Sequence, residues 1–204
     1  MSLVLSLAIF LFAIIIHEIS HGWVAYKLGD PTAKYAGRLT LNPMAHIDPF
    51  GMILLPLILT MMGSPVIFGW AKPVPVNFWN LKNPRRDMIW VGLAGPLANI
   101  ILAFALSLFL KININLPALI FNILIAGIYV NLVLAVFNLI PIPPLDGSRV
   151  VVGLLPRELA VRYIRLERFG IPLIFLLMFM GLFNYLIRPI VQILANLLGV
   201  PIYL

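Results

Sequence analysis

The chain has 204 residues, 62% of them hydrophobic and 10% charged, with a mean hydropathy of +1.07. A water-soluble domain carries about a quarter charged residues, so the composition excludes an ordinary soluble enzyme and marks a membrane protein. Fourteen Lys and Arg against seven Asp and Glu leave a net charge of +7, but these charges fall between apolar runs, where they orient the chain and meet anionic lipid rather than nucleic acid. The absence of cysteine excludes disulfides, a thiolate nucleophile and a Cys-ligated metal. With no polar linker to divide it, the chain is expected to be one membrane-embedded domain, 1–204.

A bilayer core of about 30 Å calls for about 20 apolar residues in a helix. Leu3 to Tyr26 is the first such run, interrupted only by the polar cluster His17, Glu18, Ser20 and His21. Lacking a basic start and a small-residue cleavage site, it reads as a retained span rather than a signal peptide. Next, Lys34 to Leu41 mixes Tyr, Leu and Thr around Gly37; it is either an edge strand, to which an unwound peptide could add, or a plain amphipathic loop. Met52 to Met62 is apolar, but as a helix reaches only about 16 Å, half a crossing, and is expected to be re-entrant or surface-packed.

Met88 to Leu110 and Pro117 to Ile140 contain no charged residue and form the second and third spans. Ile171 to Ile187 makes a fourth, and Ile190 to Leu204 is a short fifth candidate. The expected fold is therefore an all-α polytopic membrane protein. It has a three-span core over about 3–155, one or two C-terminal membrane segments within 171–204, and a small re-entrant or β-hairpin segment after the first span. Seven basic residues lie between the first and second spans and five between the third and fourth, against Lys111 and Arg188 elsewhere. This bias places Lys27 to Asp87 and Pro141 to Arg168 in the cytoplasm and the N-terminus and Lys111 outside. Arg157 to Arg168, with Glu158 four residues before Arg162, reads as a helix lying on headgroups. No internal repeat is evident, which argues against a transporter built from inverted halves.

An ionisable side chain inside a span is unfavourable unless paired or ligated, so the His17-Glu18-Ile19-Ser20-His21 run needs a reason. Positions i and i+4 share a helix face, so His17 and His21 can grip one metal ion with Glu18 beside it. Two imidazoles leave a tetrahedral zinc room for a third protein ligand and a water, and an unligated carboxylate nearby can accept that water's proton. The competing reading is a buried His cluster or proton relay. Asp146 is the candidate third ligand: it lies in Asn138 to Gly147, where prolines end the third span at a similar depth in the cytoplasmic half. Its competing reading is the cap of the helix that follows.

Together these motifs resemble the site-2 protease family of intramembrane zinc metalloproteases. The resemblance rests on His17-Glu18-x-x-His21, on Gly95-Pro96 within Leu93 to Asn99, and on Asn138, Pro141, Asp146 and Gly147. Arg38 to Gly51, with Asn42-Pro43 and His46-Ile47-Asp48-Pro49, further resembles a compact bacterial branch without PDZ or CBS domains. The resemblance implies a zinc endopeptidase of a multi-pass cell membrane protein, of the prokaryotic plasma membrane, acting on a transmembrane protein or peptide. It also implies His17, His21 and Asp146 as zinc ligands, Glu18 as general base, and Asn138 as the group that orients or polarises the scissile carbonyl. The rivals are a small ion or proton carrier and a metal-binding scaffold that no longer cuts; retention of Glu18 argues against the scaffold.

Three further features have plainer readings. His46 and Asp48 are expected to be structural residues of a turn, with support of the metal site as the second reading. Gly92, Ala94, Gly95 and Ala98 with Pro96 suggest close helix packing and a bend, and Asn99 a hydrogen bond across helices. Asn131 and Asn138, seven apart, suggest an inward polar seam on the third span.

Overall fold

The computed structural model describes residues 3–63, 71–112 and 115–200. The first helix, α1 (Leu3–Lys27), runs unbroken because Leu, Ile, Ala and Phe dominate it and no proline enters. It stops at Gly29, whose φ of 115° is open to glycine but strained for other residues, while Asp30 N–H returns to Ala25 O at 2.9 Å. A short α2 (Thr32–Tyr35) follows, then a 3₁₀ turn (Pro43–Ala45), a π-helical turn (Pro49–Leu54) and α3 (Leu55–Met61). The long helices α4 (Pro84–Ile112) and α5 (Ala118–Asn138) come next, and then α6 (Asp146–Leu154), α7 (Arg157–Ile164) and α8 (Glu167–Phe179). A π-helical turn (Phe183–Ile187) leads into α9 (Arg188–Leu197).

Among the described residues, three helices are long and apolar enough to cross a membrane: α1, α4 and α5. A fourth crossing is possible only as a broken one, because α8 and the segment Phe183–Leu197 meet at 74°. Helix α3, at seven residues, is far too short to span. The short apolar candidate from Ile190 is helical through α9, and its last residues, 201–204, lie outside the described residues.

The strand expected at Lys34 to Leu41 is corrected: no strand occurs among the described residues, and this stretch is the end of α2 followed by irregular chain. Local chemistry explains the outcome. Asp30 accepts from Thr32 N–H and Oγ–H and so turns the chain into α2. Gly37, at φ 65°, then ends it and directs Arg38 inward.

Helix α4 sits at the centre, packed against α1, α5 and α6. Its small residues permit the approach: a Cβ on Gly92 would meet Arg149 Cβ at 3.0 Å and Asp146 O at 3.1 Å. The main apolar core joins Ala103 of α4 and Ile128, Leu132 and Val136 of α5 to Ile174 of α8 and Val191 of α9. Helix α6 begins directly beneath the end of α5, because Gly147 has no side chain to strike the carbonyls of Leu139 and Ile140. This junction aims Asp146 back toward α1.

Candidate metal centre

His17 and His21 leave α1 on one face and meet Asp146 from the start of α6. His17 Nε2 lies 3.0 Å from Asp146 Oδ2, His21 Nε2 3.2 Å from the same oxygen, and the two Nε2 atoms 3.0 Å apart. Both imidazoles are buried, at 5% and 8% exposure, in a mainly apolar helix. Ligands 2.0–2.1 Å from a tetrahedral zinc lie about 3.3 Å apart, close to these separations.

The surrounding hydrogen bonds show which ring nitrogens carry protons. Asn131 Nδ2 donates to Gly127 O at 2.8 Å, so its Oδ1 is the acceptor for Asn99 Nδ2 at 2.7 Å. Asn99 Nδ2 also donates to Ala13 O, which leaves Asn99 Oδ1 to accept from His17 Nδ1–H at 2.6 Å. His21 Nδ1–H donates to the Val91 carbonyl at 2.6 Å. With Nδ1 committed as a donor in both rings, Nε2 is in each the nitrogen left to face a cation, and the two Nε2 atoms face each other and a carboxylate oxygen. Three facing lone-pair donors repel unless a cation stands between them, and neutral His with Asp oxygen is a zinc-type donor set. Gly95 completes the fit: a Cβ there would sit 2.5 Å from His17 Nε2 and against His21 Nε2, so its absence keeps the space before both nitrogens open.

Glu18 takes no part in the cluster. One of its oxygens, Oε2, accepts from Val74 N–H at 2.7 Å. Val74 belongs to an irregular strap, residues 71–77, whose Ala71, Pro73, Val74 and Val76 line the same cavity as the cluster. The cavity is about 510 Å³ in volume and reaches His17, Glu18, His21, Asn138 and Asp146. Its remaining walls are mainly apolar, including Phe10 and Ile14 of α1, Phe137 of α5 and Ile174 and Phe175 of α8. Asn138 faces the cavity from the last turn of α5, with Nδ2 donating to Leu134 O at 3.0 Å and its second N–H uncommitted to that carbonyl. All five site residues expected from the sequence thus meet around one space. Asp146 turns its Oδ2 to the imidazoles, and α6 starts without a side-chain cap.

His46 and Asp48 do not join the cluster. His46 is fully buried and donates from Nε2 to Thr40 O at 2.8 Å, whereas Asp48 accepts from Phe50 and Gly51 N–H to cap the π-helical turn. Sequence reasoning undervalued Asn99 and Gly95. The former orients a ring and the latter makes room for it; their four-residue spacing inside a span was the available signal. It also passed over Asp30, which is fully buried just after α1 and holds the end of the strap through Asn77 N–H at 2.7 Å and the following 3₁₀ turn (Phe78–Asn80) through Asn80 Nδ2 at 2.9 Å. Burial pushes the Asp30 carboxyl up, but donors from the Thr32 and Asn80 side chains and the Asn77 and Thr32 backbone outweigh it and hold the group below its ordinary range.

A three-span helical core with a His-His-carboxylate cluster and a neighbouring unligated carboxylate defines a membrane metallohydrolase as a class. The chain belongs to Peptidase family M50, the site-2 protease family, whose model matches residues 5–115 and 114–181. It is 40% identical over 189 residues to the "Putative zinc metalloprotease YwhC" of Bacillus subtilis (strain 168), covering 86% of this chain and 80% of that one. It is 33% identical over 148 residues to the similarly named Rip2 of Mycobacterium tuberculosis, covering 71% of this chain and 54% of that one. It is 44% identical over 141 residues to the similarly named MJ0611 of Methanocaldococcus jannaschii, covering 67% and 63%. No solved structure matches the chain. The protein is accordingly a zinc metalloprotease with membrane-spanning helices.

Proposed function

We propose that this metalloprotease cuts a transmembrane segment of another membrane protein, within or near the cytoplasmic leaflet. The observation that carries the reading is the cavity itself. Around it lie the His-His-Asp cluster, the unligated carboxylate of Glu18 and the amide of Asn138, among mainly apolar walls. The relatives are bacterial and archaeal, which supports a prokaryotic plasma membrane. The basic residues support cytoplasmic loops on the side where Asp146 and the strap lie. Residues 1–204 are read as a single domain, since α1 packs on α4 and α5 and the main apolar core continues from α4 to α9.

His17, His21 and Asp146 would hold the metal. When bound, zinc supplies a Lewis acid that brings the pKa of a water toward about 7 and polarises a carbonyl. Glu18 takes the proton of the attacking water and returns it to the leaving amine, a two-way role that requires a carboxylate not engaged as a ligand. Asn138 donates its spare N–H to the carbonyl oxygen as charge develops there. Asn99 and Val91 O keep both imidazoles in the tautomer that exposes Nε2. The apolar walls exclude bulk water and accept apolar side chains.

The test is cleavage of a transmembrane peptide by purified protein in detergent. Chelation is expected to abolish it and zinc to restore it, and Glu18→Gln is expected to retain zinc but lose turnover. Full activity of a metal-free sample, or of Glu18→Gln, would overturn the assignment.

A further inference from the structure

Resting on the reading of Glu18 as general base, we propose that Arg38 is a positioning residue for that base, acting through the strap 71–77. Arg38 is buried, at 7% exposure, and pairs with no carboxylate among the described residues. Its guanidinium instead donates to two successive strap carbonyls, Lys72 O at 2.6 Å and Pro73 O at 3.3 Å. The next residue along the strap is Val74, whose N–H is held by Glu18 Oε2 at 2.7 Å. Arg38 therefore grips the backbone one and two residues before the group that orients the carboxylate.

The rest of the turn containing His46 serves the same clamp. Lys72 N–H donates to His46 O at 3.0 Å, so the peptide units on both sides of Lys72 are anchored, one by Arg38 and the other by His46. His46 is itself fixed by its Nε2 bond to Thr40 O. Farther along, Asp30 accepts from Asn77 N–H and closes the other end of the strap. The strap cannot organise itself, because Pro73 and Pro75 lack N–H groups and interrupt any ladder.

Burying a guanidinium against neutral carbonyls alone is unfavourable. Among the described residues Arg38 Nε and His46 Nδ1 are also buried without a partner. A fold arranged for stability alone would place an apolar side chain at position 38. The arrangement gains a purpose if the strap must be held rigid where it touches the base: a carboxylate free to swing on two side-chain torsions spends only part of its time aligned with the attacking water.

The experiment measures kcat and KM for peptide cleavage, bound zinc, and amide hydrogen exchange over residues 71–77. The variants are Arg38→Met, Arg38→Lys, Val74→Pro, Val74→Ala, and the Arg38→Met/Val74→Pro pair. Arg38→Met is expected to lower kcat about tenfold or more, a fraction of the 10²–10⁴ of a general base. It should leave KM within about twofold and zinc at its wild-type level, and speed exchange across the strap. Arg38→Lys restores part of kcat, because an ammonium can still donate to Lys72 O. Val74→Pro deletes the N–H that Glu18 holds, along with replacing a buried cavity-lining side chain and fixing φ, and should reproduce the loss of kcat; Val74→Ala, which keeps the N–H, is the control for the side chain and should retain kcat. The double variant should be little worse than either single one, since both break one chain of contacts.

A rise in KM with kcat intact would make the strap a binding surface only and overturn the proposal, as would unchanged kcat in Val74→Pro or additive losses in the double variant. If Arg38→Met does not fold, Val74→Pro and Arg38→Lys decide by the same criteria. Activity retained by Glu18→Gln would remove the general-base reading itself, whereas an inactive Glu18→Gln beside a fully active Val74→Pro would sink this inference alone.

Discussion

Gly95→Ala tests the metal centre through a residue that ligates nothing. The added Cβ would lie 2.5 Å from His17 Nε2 and 2.6 Å from His17 Cε1, about 0.9 Å short of the 3.4 Å at which ordinary contact begins. It would also strike His21 Nε2. Neither ring can retreat freely, because His17 is held at Asn99 and His21 at Val91 O. Either the imidazoles turn off their hydrogen bonds or α4 moves away from α1. Metal–ligand bonds tolerate about 0.2 Å, so a shift of several tenths of an ångström is expected to weaken zinc binding at least 10–100-fold, as lost supporting contacts do. Single-turnover cleavage should fall by about 10²-fold, the effect of a comparable misplacement in other active sites. Folding should suffer less, by about 1–3 kcal/mol for overpacking, and alanine's better helix propensity offsets part of that. Gly127→Ala is the control, since its Cβ would meet only the movable end of Leu106 at 3.0 Å. Zinc affinity by chelator competition and the single-turnover rate are the readouts. Wild-type zinc affinity and rate in Gly95→Ala would refute the placement of the metal between the imidazoles and α4.

Asn99→Leu removes the acceptor of His17 Nδ1–H; zinc affinity should drop about 10–100-fold with α4 and α5 still packed, measured by chelator competition beside the detergent melting temperature. Asp146→Ala should lower bound zinc and activity together, whereas Asn138→Ala should keep zinc and slow single-turnover cleavage by about 10²-fold; equal zinc loss in both would withdraw their separate roles. Asp30 titrates lower in the folded protein than its ordinary value near about 3.9, so its contribution is fully present above that pH and is lost as pH falls through it toward the depressed folded value. Asp30→Asn should therefore lower the melting temperature at neutral pH and flatten its decline below about pH 4; an unchanged pH profile would show that the buried carboxylate does not stabilise the strap.

The parts of the site readable in the sequence are those fixed by local periodicity. His17 and His21 share a face because a helix repeats every 3.6 residues, and no tertiary information is needed to place them together. Asp146 is one step harder. Prolines 141, 143 and 144 announce that α5 must end, but only the packing of Gly147 beneath the carbonyls of Leu139 and Ile140 turns the carboxylate toward α1. Gly95 and Asn99 looked like packing residues, and they are: their packing partner is His17 of the candidate metal cluster, which depends on the register of α4 against α1. Of the two readings of Lys34 to Leu41, the strand failed because the local bonds of Asp30 and the buried turn of Arg38 outweighed the mix of Tyr, Leu and Thr around Gly37.

The strap shows what a sequence can imply when it forms no regular element. With Pro73 and Pro75 two residues apart, neither a helix nor a paired strand can satisfy its polar groups, yet it lines a partly enclosed cavity where water is a poor substitute. Its carbonyls then need buried donors and its remaining N–H groups need buried acceptors. The structure supplies them from distant positions: Arg38 for the carbonyls of Lys72 and Pro73, Glu18 for the amide of Val74, Asp30 for that of Asn77. Two of these three charged residues are buried, and the third stands beside the His17–His21–Asp146 cluster. A proline-interrupted segment next to the carboxylate proposed as base thus accounts for otherwise unexplained buried charges. If Arg38 acts as proposed, the carboxylate of Glu18 is also held by residues that line no part of the cavity wall facing the cluster, since Arg38 and Asp30 reach it only through the strap.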